Sequence, residues 1–71
     1  MPHLIDGRDL LPPEPLELTL TALDSLSMDD ELVVLLHRRP VPLLGILRDN
    51  GYTWQEDVLA DGTHQVRIRR T

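Results

Sequence analysis

Cysteine, phenylalanine and lysine are absent from the sequence, and aromatic residues are reduced to one Trp and one Tyr. The lack of cysteine excludes disulfides, thiolate zinc sites and every mechanism that runs through a thiol, and it fits a reducing, cytoplasmic setting. Without Phe the core has to be assembled from Leu, Ile and Val, with Trp54 the only large aromatic candidate. The seven basic residues are all arginine and face twelve acids, for a formal charge of −5. Phosphate contacts need clustered cations, and with acids in this excess nucleic acid is not an expected partner. No apolar run approaches the length of a membrane span, and the N-terminus has neither the basic start nor the apolar stretch of a signal peptide, so a soluble protein without membrane contact is expected. The 71 residues are read as one domain, 1–71. That is near the size at which a single core supplies only ~3 to 5 kcal/mol.

What is present is organised around residues 31–50. The run Leu32, Val33, Val34, Leu35, Leu36 suits a strand buried on both faces, and it leads into His37, Arg38 and Arg39. Pro40 and Pro42 then stand where a first helical turn tolerates proline, and Leu43, Leu44 and Leu47 repeat at helical spacing up to Asn50-Gly51, a helix stop. Upstream, Leu4 and Ile5 ended by Asp6-Gly7 predict a brief first strand that starts at His3. Pro13 and Pro15 with Glu14 and Glu17 predict a helix start, and Leu16, Leu20 and Leu23 continue it. Residues 16–22 also alternate as a strand would, but the alternation fails beyond Ala22.

A third strand is predicted over 52–59, with Trp54, Glu56 and Val58 on one face. Ala60-Asp61-Gly62 closes a hairpin as a three-residue loop, pairing Val58 with His64, Glu56 with Val66 and Trp54 with Ile68. The order strand, helix, strand, helix, strand, strand implies an α+β two-layer sandwich, βαβαββ, with two helices on one face of a mixed four-stranded sheet. Right-handed crossovers make the first two strands parallel and start both helices at the same sheet edge.

Ile5-Asp6-Gly7-Arg8, Leu10 and Pro12-Pro13-Glu14-Pro15 resemble the opening of the TusA/SirA sulfur-carrier family, in which a Leu-Asp-x-Arg type strand end precedes a Cys-Pro-x-Pro helix start. Pro12 occupies the cysteine position, so sulfur transfer is not implied, because persulfide chemistry needs a thiolate. The segment from His37 to Leu43 is similar to the His-Arg-Glu-Pro type junction of an uncharacterised bacterial domain family that shares this fold without the cysteine, with Arg39 in place of its Glu. That resemblance implies strand order 1-2-4-3 with the fourth strand antiparallel. It also implies companionship with hemerythrin-like or nitrogen-oxide respiratory proteins.

Three constellations can carry function. Arg8, His37, Arg38 and Arg39 gather near two helix starts, an arrangement that favours anions, although Pro13, Pro15, Pro40 and Pro42 remove amide donors there. With the implied strand order, His37 opposite His64 pairs Leu35 with Val66 and Val33 with Ile68, and two imidazoles then meet as partial ligands for a metal, Asp61 or Glu14 being candidates for a third. A haem-linked role or an enzyme centred on these histidines belongs to the same alternative. Because the central strand is apolar on both sides, either Leu32, Val34 and Leu36 or Val33 and Leu35 face outward. The pairing just given puts Leu32, Val34 and Leu36 with Arg67 and Arg69 on an open face, as an interface for a protein partner or a second copy. No Gly-rich phosphate loop, no Ser/His/Asp order and no paired carboxylates are found. The expected function is therefore a non-enzymatic accessory or binding module without a cofactor.

Overall fold

Two prolines stand at the head of each helix and set where it begins. The computed structural model describes residues 3–11 and 13–70. Its elements are β1 (His3–Asp6), α1 (Glu14–Asp24), β2 (Glu31–Leu36), α2 (Val41–Asp49), β3 (Tyr52–Val58) and β4 (His64–Arg70). Pro13 caps α1 and Pro15 lies in its first turn; Pro40 and Pro42 do the same for α2. Proline is tolerated there because the first helical N–H groups have no partner within the helix. Glu14 and Glu17 sit at the positive end of α1, and Arg48 at the negative end of α2. α2 stops where the Asn50 side-chain amide donates to the Ile46 carbonyl at 2.8 Å and Gly51 takes the left-handed φ of 77°.

The sheet runs β1-β2-β4-β3, with β1 parallel to β2 and β4 antiparallel to both β2 and β3. This is the α+β sandwich expected from the sequence. The hairpin register is also the expected one, with Val58 opposite His64, Glu56 opposite Val66 and Trp54 opposite Ile68. The Leu59 N–H to Thr63 carbonyl bond at 2.8 Å leaves Ala60, Asp61 and Gly62 as the loop, Gly62 at φ 85°.

The register of β2 on β4 departs from the expected one by a single residue. Leu36, not His37, lies opposite His64, and Val34 and Leu32 lie opposite Val66 and Ile68. A one-residue slip turns every side chain to the other face. Leu32 and Val34, expected on the open side, are fully buried with Val66 and Ile68 beneath Leu23, Leu43, Leu44 and Leu47, while Leu36 is half-buried against this core. The physical reason is volume and charge together. Turning Leu32, Val34 and Leu36 inward buries three aliphatic side chains where the alternative buries Val33 and Leu35. It also sets Glu31 opposite Arg69, where the two form an ion pair at 3.1 Å.

The outward row is therefore Val33 and Leu35, half-buried, beside Leu4 of β1, which is 66% exposed. Arg67 lies down on this face opposite Val33: it donates to Gln55, pairs with Asp57 at 3.6 Å, and its Nε is buried without a hydrogen-bond partner. Among the described residues no helix is long and apolar enough to cross a membrane.

The corrected register makes Val34→Arg and Leu35→Arg separable. An unpaired charge at the fully buried Val34 costs several kcal/mol, about the whole stability of a chain this short, so that variant is expected to be unfolded. Leu35→Arg is expected to fold with a loss of about 1 kcal/mol or less. Urea unfolding followed by Trp54 fluorescence distinguishes the two.

Candidate functional site

Parallel β1 and β2 end at the same edge, and both helices begin there, so the turns that follow the two strands come together. The β1 turn fits closely: the Gly7 N–H donates to the Leu35 carbonyl at 2.8 Å. A Cβ on Gly7 would stand 2.8 Å from Leu36 Cδ2 and 3.2 Å from Pro15 Cβ. A side chain here would push Leu36 and Pro15 aside, so glycine lets this turn lie close against both β2 and α1. Between the two turns opens a groove of about 680 Å³, within the size range of small-ligand pockets. Its walls are largely aliphatic: Leu10, Leu11, Leu16, Leu36 and Leu43, with Pro13, Pro15, Pro40 and Pro42 between them. Gly7, Arg8, Asp9, Thr19, His37 and Arg38 complete the lining.

The sequence placed Arg8, His37, Arg38 and Arg39 together, and the first three line this groove. Arg39 does not. It leaves toward β3, where its Nε donates to Glu56 Oε1 at 2.8 Å, and this guanidinium, aided by Trp54 Nε1, holds the Glu56 carboxyl below its ordinary range. Glu56 faces the helix side of the sheet, yet it lies on an edge strand, so its charge keeps both an arginine and water. Arg8 is also engaged. Its Nε and Nη2 clamp both carboxylate oxygens of Asp6 at 2.8 and 2.7 Å, its own N–H donates to the same carboxylate at 3.2 Å, and Asp61 of the hairpin approaches at 3.8 Å. The Arg8 side chain and backbone N–H hold the Asp6 carboxyl down at about 2.

Arg48, Arg67 and Arg69 pair with Asp49, Asp57 and Glu31, and Arg70 donates to the Leu26 carbonyl. Arg38 is thus the one arginine with no partner among the described residues, and it stands on the groove. On the acidic side, Asp9, Glu14, Glu17, Asp24 and Asp29 pair with no arginine or histidine among the described residues, whereas six of the other seven pair with an arginine and Asp30 with His3.

The helix starts supply little for a small anion. The Glu14 N–H is spent on the Leu11 carbonyl at 3.0 Å and the Val41 N–H on the Arg39 carbonyl at 3.0 Å, while Pro15 and Pro42 have none. The first two amides of each helix are therefore out of play. Of the two histidines, His37 lines the groove and His64 does not; His64 lies opposite Leu36 on β2 and Val58 on β3. Among the described residues no three His, Asp or Glu side chains converge as metal ligands would. Pro12, which the resemblance sets at the cysteine position of the sulfur carriers, lies outside the described residues. Sequence reasoning missed the aliphatic walls. The available signal was Leu10-Leu11 directly ahead of the prolines, apolar residues in a stretch that cannot be strand interior.

Fold and groove together define a small two-layer α+β domain with a ligand-sized recess at the edge where its parallel strands end. The chain belongs to the family described as Uncharacterized conserved protein (DUF2249), whose model matches residues 4–70. No significant match was found among curated proteins or among solved structures.

The Asp6–Arg8 clamp has a pH signature. The Asp6 carboxyl lies at about 2 in the folded chain, below its ordinary 3.8, so the clamp's stabilisation is complete above 3.8 and is lost as pH falls through about 2. Carboxyl-carbon NMR is expected to show that midpoint, and Arg8→Gln is expected to return it toward 3.8.

Proposed function

We infer that this domain is a non-catalytic binding module whose groove at the helix-start edge takes a ligand with an apolar body and one anionic group. The observation that carries this reading is the pairing of an aliphatic, proline-walled groove with Arg38, the one unpartnered arginine among the described residues. Aliphatic walls reward burial of hydrocarbon, and a guanidinium at the groove fixes the orientation of a carboxylate or phosphate. A free inorganic anion would find one uncommitted arginine and few amides, which favours the amphiphile over the small anion. Sulfur carriage in the manner of TusA/SirA proteins is unsupported, since the sequence has no thiol. A metal or haem centre on His37 and His64 has no converging ligand set among the described residues to support it.

Octanoate, octanol and phosphate separate the contributions. Octanoate is expected to saturate and to shift the methyl signals of Leu10, Leu16, Leu36 and Leu43, octanol to bind the same methyls more weakly, and phosphate alone to give small, diffuse shifts. Arg38→Ala is expected to weaken octanoate by roughly tenfold or more, the worth of a charged hydrogen bond. Equal binding of octanoate and octanol, or an unchanged affinity in Arg38→Ala, would sink this reading.

Contact with a protein partner or a second copy through the open sheet face is a second reading, supported by exposed Leu4 beside Val33 and Leu35, with the Glu31–Arg69 and Asp57–Arg67 pairs as its rim. On the second-copy form, sedimentation is expected to show a dimer for the wild type and a monomer for Leu35→Arg. A wild type that stays monomeric at high concentration removes that form of the reading.

A further inference from the structure

The outer side of α1 carries a second depression, separate from the groove floor but meeting it at Leu11 and Pro13. Its remaining lining is Glu14, Glu17, Leu18 and Thr21. Leu11 and Leu18 are 79% and 44% exposed and lie side by side with two carboxylates in this one depression. The charged residues that line this depression, Glu14 and Glu17, are of one sign. From Asp9 to His37 the chain contains no arginine, and α1 itself has three acids and no base. All five acids that pair with no arginine or histidine among the described residues fall between Asp9 and Asp29, on α1 and its flanking loops.

We propose that this face of α1 docks a basic amphipathic polypeptide segment, its apolar side chains covering Leu11 and Leu18 and its Lys or Arg side chains meeting Glu14 and Glu17. Charge selects this occupant over the others. Nucleic acid and an anionic bilayer are repelled by uncompensated carboxylates. Among the described residues, a second copy of this chain has a single unpaired arginine to offer, Arg38, in the groove on the other side of the Leu11–Pro13 wall. A basic segment gains from both parts of the surface at once: the leucines lose water and the carboxylates gain partners. The site shares Leu11 and Pro13 with the groove wall, but Glu14, Glu17, Leu18 and Thr21 belong to it alone, so signals and variants at these four distinguish its failure from that of the groove.

The test uses the full chain and three synthetic peptides: an amphipathic leucine/lysine peptide, the same peptide with serine for leucine, and the same peptide with glutamate for lysine. The leucine/lysine peptide is expected to bind with saturation and to shift the amide signals of Leu11, Glu14, Leu18 and Thr21. The serine/lysine peptide is expected to bind about tenfold or more weakly, the worth of one buried leucine, and the leucine/glutamate peptide not to bind. Leu18→Ser, and separately the double variant Glu14→Gln with Glu17→Gln, are each expected to lower affinity by about fivefold or more without loss of helical circular dichroism; both alter exposed side chains only. Equal binding of the two lysine peptides would reduce the effect to bulk charge and overturn the proposal. So would shifts centred on Leu36, His37 and Leu43, or unchanged affinity in both variants.

Discussion

Burial of the row Leu32, Val34 and Leu36 beneath the helices is the constraint on which the other contacts rest. It aligns Ile68 and Val66 behind it, then Trp54 and Glu56 on β3, so that one continuous sheet surface meets α1 and α2. The same alignment determines the opposite face. Glu31 comes level with Arg69, and Arg67 comes level with Val33 and Gln55, so the polar ladder on the open side is a by-product of the packing on the closed one. It also delivers Leu36 to the edge as the inner wall of the groove, where Gly7 can close against it. In a chain this short there is no second core to correct an error in this row.

Element order, both helix starts and the hairpin were legible because each is punctuated by residues with a single dominant local consequence. Prolines open the helices, Gly51 closes one, and Gly62 fixes a three-residue loop, and with it the whole register of β3 on β4. The register of β2 on β4 has no such anchor. A helix and a third strand intervene, no turn links the two strands directly, and Leu32 to Leu36 is apolar at every position, so alternation is silent. Total buried volume and one distant ion pair, Glu31 with Arg69, settle the matter, and neither is visible in a local window. The candidate site was legible in the same uneven way. Arg8, His37 and Arg38 were found by their chemistry, but Arg39 was lost to Glu56 because partner choice depends on three-dimensional neighbours, and the leucines of the groove gave no signal that set them apart from core leucines.

The edge where parallel strands end is ordinarily a place for anions, since helix N-termini converge there with unspent amides. This chain builds that edge and then changes its chemistry. The prolines that start the helices remove donors, neighbouring carbonyls take the next ones, and Arg8 and Arg39 are committed to Asp6 and Glu56. What is left is hydrocarbon with one available guanidinium, a surface that discriminates by shape and water exclusion before it discriminates by charge.

The uneven distribution of pairing between arginines and acids has a kinetic side. Most arginines stand beside carboxylates and largely cancel them at a distance, so the five acids of α1 and its loops that pair with no arginine or histidine among the described residues weigh heavily in the far field and make this flank strongly negative. Its extents are 30 × 23 × 20 Å, whereas electrostatic fields decay over roughly 8 Å in physiological salt. An approaching cationic molecule therefore senses whichever flank is nearer and not the average, and encounters are biased toward collisions that already have α1 in front. Such pre-orientation raises the rate of productive meeting without strengthening the complex that results, and it fades as ionic strength rises.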